Sequence, residues 1–331
     1  MWNYLLEVLN LILFSLVKKD NYGKVKDDAT FHITGPGGTW DRTTNGGKIV
    51  INDIPTGTYT ITETQSPNNM NNEPVNRTVN VEVKPGETIT YTRVNNYQRG
   101  SVSLTKYDSI NRGATKGDAS LKNAEFELHA SGEIKEGETT VYAADALVAK
   151  VVTDENGETP KIENLPIGNY YYIETKASEG FYINTTRIPV SITYDGQYVP
   201  VSAEKHNEVP EEPEYNSLTI IKKMSATSNT PEKYLEGCEF TATLKSDPSY
   251  KIRSVYAGNG EYKIQNLPYG LYTIEETIVN PYTLKMENFD IDIKEGDKKR
   301  GPYKPVEGIR VAGDTSLNAA GEIVDTTKGM Y

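Results

Sequence analysis

Three stretches of the chain share one pattern: INDIPTGTYTITET at 51–64, IENLPIGNYYYIET at 162–175 and IQNLPYGLYTIEET at 264–277. They align without a gap from an Ile to a Glu, and these two residues are 12 positions apart in each copy. Each copy predicts a strand, a tight turn at Pro-x-Gly and a second strand with alternating apolar positions. A register that is kept three times indicates an internal repeat, and therefore three similar domains.

The second strand of each copy places a carboxylate on its apolar face. Side chains of a strand alternate between two faces, so Glu63 lies on the same face as Tyr59 and Ile61. Glu174 and Glu276 hold the same position in the other two copies. A carboxylate directed into a core has to be neutral, paired or functional, which makes these three residues candidates for a site.

Each unit also opens with an alternating strand that ends in a Lys on its apolar face. These residues are Lys18, Lys106 and Lys222. In the first unit Lys19 remains the alternative, although the strand phase favours Lys18. Burial among apolar side chains favours the neutral amine, which is the nucleophilic form.

Two units close with a strand that leads to an Asn. The spacing from the repeat Glu to this Asn is nearly the same in both, from Glu63 to Asn95 in the first unit and from Glu174 to Asn207 in the second. In the third unit Glu307 stands at the corresponding distance from its repeat Glu, where an Asn is expected. The third unit therefore differs from the other two at this position.

The repeat predicts an all-β chain of three tandem sandwiches, joined like beads on a string, each with about seven strands in two packed sheets. Only residues 137–150 suggest a short helix. The expected segments are a leader or remnant of preceding sequence at 1–11, domains at 12–98, 99–209 and 217–312, an acidic Pro-containing linker at 210–216, and the start of a truncated module at 313–331.

Composition argues against several classes of function. The 331 residues carry a net charge of −11, which disfavours binding to nucleic acid or to an anionic bilayer. The single Cys238 excludes an internal disulfide, and His32, His129 and His206 occur at no metal-ligand spacing. No metal or other cofactor is expected. The apolar run at 4–17 is too short to span a membrane, and neither an export signal nor a sortase-type LPxTG motif is visible.

These motifs resemble the Cna B-type, or SpaA-like prealbumin, domains of Gram-positive surface proteins, which have an Ig-like or prealbumin-like fold. The resemblance rests on Lys-x-Asp at 106–108, on Asn-Ala-Glu-Phe at 123–126 and on the Glu strand, which is similar to the E-box of pilins. It covers nearly the whole chain. The third unit departs from the pattern, because Met224 replaces the Asp.

The resemblance implies amide crosslinks that the domains form themselves, from the Lys to the Asn, with the Glu as proton shuttle. The implied sets are Lys18, Glu63 and Asn95 in the first domain and Lys106, Glu174 and Asn207 in the second, while Lys222, Glu276 and Glu307 are their inactive equivalents. Proximity on adjacent strands makes an unreactive amide react. The product ties the first strand to the last, as a disulfide would.

The implied function is structural: the stalk or backbone region of a cell-surface adhesin or pilin-like protein, outside the cell and attached to its wall or surface. Its partners are other modules of the same protein, and host matrix or glycan is reached through a separate tip domain. One alternative is a ligand-binding adhesin module, which an exposed aromatic groove or a large apolar patch would favour. The other is a set of accessory domains of an exported enzyme.

Overall fold

The computed structural model describes residues 13–112, 115–224, 233–281, 283 and 285–293, and the backbone of 316–317 and 323–327. Each of the three domains consists of two β-sheets with an apolar core between them. The helix found in the described ranges, α1 at Pro74–Arg77, is a single turn. The predicted all-β architecture of three tandem sandwiches is confirmed.

The first domain has seven strands. They are β1 Phe14–Asp20, β2 Thr30–Gly35, β3 Gly38–Thr43, β4 Lys48–Ile51, β5 Gly57–Gln65, β6 Thr78–Val83 and β7 Ile89–Asn95. One sheet has the order β4-β1-β7 and the other β3-β2-β5-β6. Phe14 and Leu16 from the first sheet pack with Phe31 and Tyr59 from the second.

The second domain repeats this arrangement and adds a hairpin. Its strands are β8 Arg99–Asp108, β9 Glu125–Ala130, β10 Ile134–Glu136, β11 Thr139–Tyr142, β12 Leu147–Val152, β13 Ile162–Pro166, β14 Gly168–Lys176, β15 Ile188–Ile192 and β16 Lys205–Glu211. The sheets are β13-β8-β16 and β12-β9-β14-β15, and the hairpin is β10-β11. The prediction of a short helix within 137–150 was wrong, because β11 and the start of β12 occupy this stretch.

The third domain follows the same plan. Its strands are β17 Asn216–Met224, β18 Lys233–Tyr234, β19 Glu239–Leu244, β20 Lys251–Arg253, β21 Val255–Gly258, β22 Glu261–Leu267, β23 Gly270–Ile278, β24 Phe289–Ile293, β25 Ser316–Leu317 and β26 Ile323–Thr327. The sheets are β21-β22-β17-β26-β25 and β20-β19-β23-β24, with β18 paired to β17.

The closing strand of each domain runs parallel to its opening strand: β7 to β1, β16 to β8, and β26 to β17. In the third domain this role falls to residues 323–327. The interpretation of 313–331 as the start of another module is therefore corrected, as is the domain boundary at 312. The same topology places the opening and closing strands side by side in all three domains, so their inward side chains can meet.

The repeat motif has a common local geometry. Its third residue adopts the left-handed backbone conformation, with φ of 59° at Asp53 and 58° at both Asn164 and Asn266. Asp and Asn tolerate this conformation better than other non-glycine residues, which explains their recurrence at this position. The repeat Tyr then donates a hydrogen bond from its hydroxyl to the carbonyl of the Pro four residues earlier, at 3.0, 2.7 and 3.0 Å in the three domains.

The first and second domains are joined by a network of hydrogen bonds. Gln98 is fully buried between them; its Nε2 donates to Gly196 O (3.0 Å) and its Oε1 accepts from Asp195 N (2.8 Å). Gln197 accepts a bond from Ser66 N at 2.7 Å. These contacts tie the loop after β15 to Gln98 and to the residue that follows β5 of the first domain.

The predicted linker at 210–216 is not a free segment. Residues 210 and 211 belong to β16, and Asn216 begins β17. Between them, Glu212 O accepts a hydrogen bond from Tyr182 N at 3.0 Å, and Glu214 N donates to Gly180 O at 2.8 Å. The third domain contacts the second directly, through a bond of 2.8 Å from Asp118 N to Tyr269 O.

Candidate functional site

The first domain brings Lys18, Glu63 and Asn95 together in its core. The register of β1 and β7 pairs Lys18 with Arg93 and Asp20 with Asn95. The side chains of Lys18 and Asn95 therefore lie on the same inner face of this sheet. Glu63 faces them from β5. Lys18 Nζ lies 3.9 Å from Glu63 Oε1, and Asn95 Nδ2 donates a hydrogen bond of 2.9 Å to the same oxygen. Lys18 and Glu63 are fully buried and Asn95 is nearly so.

Burial governs the charge of this lysine. Desolvation lowers the pKa of Lys18 from 10.5 to about 8, while the charge of Glu63 opposes the shift and that of Arg93 adds to it. A measurable fraction of the amine is therefore neutral near neutral pH. Its neighbour Lys19 is only half-buried, so the residue that faces the site is Lys18.

Arg93 is a member of this site that the sequence analysis did not identify. Its Nε donates to Glu63 Oε2 at 2.8 Å, and its Nη2 donates to Asn72 Oδ1 at 3.3 Å. The Asn72 amide in turn donates to the Glu63 backbone carbonyl at 2.8 Å. Arg93 fixes the orientation of the Glu63 carboxylate. Its inward phase on the closing strand was the signal available in the sequence.

A polar cavity reaches the first site from solvent. It is lined by Asn71, Glu73, Arg93, Val94, Asn95 and Asn96. The Asn95 carboxamide thus lies between the buried Glu63 and a route to water.

The second domain brings Lys106 together with two carboxylates. Lys106 Nζ lies 2.8 Å from Glu174 Oε1 and 4.0 Å from Glu211 Oε2, and all three side chains are buried. Asn184 N donates to Glu174 Oε2 at 2.7 Å. The ring of Phe181 covers the ammonium, with Nζ 5.0 Å from the ring centroid. This site holds one ammonium and two carboxyl groups in a water-poor environment.

Asn207 is not part of this site, which corrects the predicted pairing with Lys106. The register of β16 and β8 places Asn207 opposite Leu104, and its amide donates to Pro189 O at 3.2 Å. Val209 is opposite Lys106, and Glu211 is opposite Asp108. The predicted face of the strand was correct, but the position along it was wrong by four residues, or about 13 Å.

The position that Asn95 holds in the first domain is thus held by Glu211 in the second. The spacing to the opening Lys of the next domain indicates this equivalence in the sequence. Asn95 precedes the next opening lysine, Lys106, by 11 positions, and Glu211 precedes Lys222 by 11 positions (106 − 95 and 222 − 211). The loops between the repeat Glu and the closing strand differ in length among the domains. The spacing from the acceptor position to the next opening Lys is therefore a better guide than the spacing from the repeat Glu.

The third domain holds Lys222 and Glu276 in the same buried arrangement. Lys222 Nζ donates to Glu276 Oε2 at 3.2 Å, and Met286 N donates to the same oxygen at 2.7 Å. The register of β17 and β26 places Asp325 opposite Lys222 and Thr327 opposite Met224. Thr327 thus occupies the backbone position of Asn95 and Glu211. The predicted equivalent, Glu307, lies outside the described residues.

The remaining candidates from the sequence have ordinary surroundings. His32 pairs with Asp41, and His129 with Glu127. Burial raises the pKa of the Cys238 thiol to about 11, which makes it unreactive near neutral pH. Across the described ranges, no group of His, Cys, Asp and Glu side chains has a geometry suited to a metal ion, and no helix there is long and apolar enough to cross a membrane.

Comparison with known proteins identifies the domains. The family model of the SpaA prealbumin-like fold domain matches three times, at residues 13–97, 100–207 and 216–301. Among curated protein sequences, none matches the chain. The Bacillus anthracis TIE protein is similar in structure, with a TM-score of 0.65 and 26% identity over 97% of this chain and 51% of that one. The chain thus spans about half the length of that protein.

Two pilin structures also match at lower similarity. BcpA*(D312A), the major pilin subunit of Bacillus cereus, has a TM-score of 0.35 and 16% identity over 86% of this chain and 96% of its own. A streptococcal ancillary pilin has a TM-score of 0.29 and 14% identity over 96% and 99%. The three matches of the family model cover most of the sequence, and each falls on one of the three sandwiches. The chain therefore belongs to the SpaA prealbumin-like fold family, of which it carries three domains in tandem.

Proposed function

We propose that this chain is a stalk or backbone region of a Gram-positive cell-surface adhesin or pilin-like protein, and that its first domain is closed by an amide bond between Lys18 and Asn95. Its role is mechanical and not enzymatic, and the protein is located outside the cell. The observation that carries the proposal is the position of Glu63 Oε1, 2.9 Å from the Asn95 amide nitrogen and 3.9 Å from the Lys18 amine.

The arrangement supports a single-turnover condensation. Glu63 takes a proton from the Lys18 ammonium, and the neutral Nζ attacks Cγ of Asn95. The Cγ–Nδ2 bond then breaks, and the amide nitrogen leaves as ammonia with the second proton that Nζ gives up. Glu63 ends protonated. Holding the reactants on adjacent strands supplies the proximity that this slow reaction needs.

The bond would give the domain a short path for load. Tension that enters at the start of β1 reaches Lys18 within a few residues, crosses to Asn95, and leaves toward β8, which begins at Arg99. The 77 positions from residue 18 to 95 are then bypassed. Without the bond, the closing strand is held at the edge of its sheet by its hydrogen bonds to the parallel strand β1 and by side-chain contacts such as that of Arg93 with Glu63.

The contacts between domains support the same role. Gln98 bonds to the loop of the second domain at Asp195 and Gly196, and Tyr269 of the third domain bonds to Asp118 of the second. Buried and hydrogen-bonded junctions restrict bending between neighbouring domains, as a stalk requires. The partners that fit this role are further modules of the same surface protein.

The test is the intact mass of the purified chain with peptide mapping. The proposal expects the loss of one ammonia from the first domain and a linked peptide that joins Lys18 to Asn95. Ammonia can also be lost from Asn-Gly sequences, so the linked peptide decides. Recovery of the Lys18 and Asn95 peptides as separate species would refute the crosslink.

A further inference from the structure

The second domain holds a carboxyl group at the position where the first holds its carboxamide. Asn95 and Glu211 occupy the same register position, each opposite the Asp that follows the opening Lys by two residues. Both side chains face the lysine and the repeat Glu of their own domain. The two sites therefore differ in the chemical class of one residue, an amide in one and an acid in the other.

The Glu211 carboxyl is held as a reactant would be. Its Oε2 lies 4.0 Å from Lys106 Nζ and, within the described part of the chain, is buried with no hydrogen-bond partner. Its Oε1 lies 3.5 Å from the Asn184 side-chain amide, whose backbone N–H also holds Glu174. A buried carboxyl oxygen without a partner is costly, and a stable ion pair would have satisfied it.

The buried surroundings and the neighbouring charges favour the neutral form of the Glu211 carboxyl group. Burial raises the pKa of Glu211 to about 7; the neighbouring Glu174 adds to the shift and Lys106 opposes it. One ammonium can balance only one of the two carboxylates, and Glu174 is the closer at 2.8 Å. At neutral pH a large fraction of Glu211 is uncharged. The repulsion that makes a carboxylate a poor target for an amine is absent from that fraction.

We propose that the second domain closes by an amide between Lys106 Nζ and Glu211 Cδ, formed with loss of water and with Glu174 as the proton carrier. This inference rests on the crosslinking chemistry of the proposed function. It assigns that chemistry to an acceptor of a different class, a carboxylic acid with a longer side chain. It also replaces Asn207, which lies four residues away along the strand.

The atoms balance without a further reactant. The Glu174 carboxylate takes one proton from the Lys106 ammonium, and the neutral amine attacks the carboxyl carbon of Glu211. The nitrogen gives up a second proton to the departing hydroxyl, which leaves as water when its bond to Cδ breaks. The site begins with an ammonium, a carboxylate and an acid, and ends with an amide and a protonated Glu174.

The surroundings favour the product. In bulk water an amine and an acid remain apart as ions, but desolvating such a pair in a core costs several kcal/mol per ion. The amide removes both buried charges, and fixed neighbours react with effective molarities on the order of 10⁵–10⁸ M. The bond would also continue the load path, since it joins β8 to the end of β16, five residues before β17 begins at Asn216.

The experiment is peptide mapping of the full chain, with intact mass at isotopic resolution in the Asn95→Ala background, which removes the first bond. The wild-type chain should yield a peptide that joins Lys106 to Glu211. The Asn95→Ala chain should be lighter than its sequence by one water. Three variants are made in the same Asn95→Ala background. Glu211→Gln should lose one ammonia in place of water, and Glu211→Ala should lose neither. Asn207→Ala should still lose one water.

Two results would overturn the proposal: unlinked Lys106 and Glu211 peptides from the wild-type chain, or a peptide that joins Lys106 to Asn207. Both readings come from the wild-type protein, so they do not depend on the folding of a variant. The Lys18–Asn95 peptide is scored separately in the same digest. Failure of this inference is thus distinguishable from failure of the first-domain crosslink.

Discussion

Replacing Asn95 by Ala is expected to remove the first-domain bond and to lower the stability of that domain sharply. The bond closes the loop from residue 18 to residue 95, which is worth about 4.5 kcal/mol in the chain-entropy description. The Asn95 nitrogen that bonds to Glu63 leaves as ammonia when the crosslink forms, so the comparison with the crosslinked wild type rests on the loop term alone. A loss of about 4.5 kcal/mol corresponds to a fall in melting temperature of about 20 °C or more for a domain of this size.

Differential scanning calorimetry measures this effect, because the three domains can give separate transitions. The matched control is Asn207→Ala, which removes an exposed hydrogen bond of 3.2 Å to Pro189 O and should cost less than about 1 kcal/mol. The first-domain transition should move in Asn95→Ala alone. Equal shifts in the two variants, or a small shift in Asn95→Ala, would refute the reasoning.

Three further outcomes are expected. In Asn95→Ala, Lys18 keeps a pKa of about 8 when folded against 10.5 when unfolded; the unfolded state then binds more protons between these values, so stability should rise as the pH rises from about 8 to 10.5. Urea titrations across that range measure it, and a flat profile counts against the buried lysine. The third domain, with Thr327 at the acceptor position, should yield no linked peptide containing Lys222 and should melt first; a transition at or above the other two would contradict this. Gln98→Ala should increase hydrogen exchange in residues 193–203, because the buried amide that holds this loop is lost, and unchanged exchange would argue against a rigid junction.

The sequence predicted the parts of the fold that depend on local pattern. Strand alternation placed Glu63, Glu174 and Glu276 on inner faces, and it selected Lys18 over Lys19. The turn at Pro-x-Gly could be recognised because glycine adopts backbone conformations that other residues rarely do, as Gly57 and Gly270 show with φ of 136° and 148°. These features need no knowledge of which strands become neighbours.

The register of the closing strands could not be obtained in this way. Alternation recurs every two residues, so it cannot choose among positions 207, 209 and 211 of one strand. The choice depends on how far β16 slides along β8, which only the pairing of the two strands shows. In the third domain the closing strand lies at 323–327, much farther along the chain than in the other two.

Arg93 was missed for a related reason. An inward Arg is unusual, and its partner Glu63 is 30 residues away on another sheet. Only the pairing of β7 with β1 reveals that the guanidinium meets the Glu63 carboxylate beside Lys18. Contacts between sheets are long-range, and a single sequence contains no direct record of them.

The most direct test of the central claim is to stretch single molecules of the full chain between its two ends. If Lys18 is bonded to Asn95, the segment from 18 to 95 cannot extend, so the wild-type chain should lack a step of about 260 Å that the Asn95→Ala chain shows. The control Asn207→Ala should behave as the wild type does. A wild-type trace that contains the same step as the Asn95→Ala chain would contradict the account.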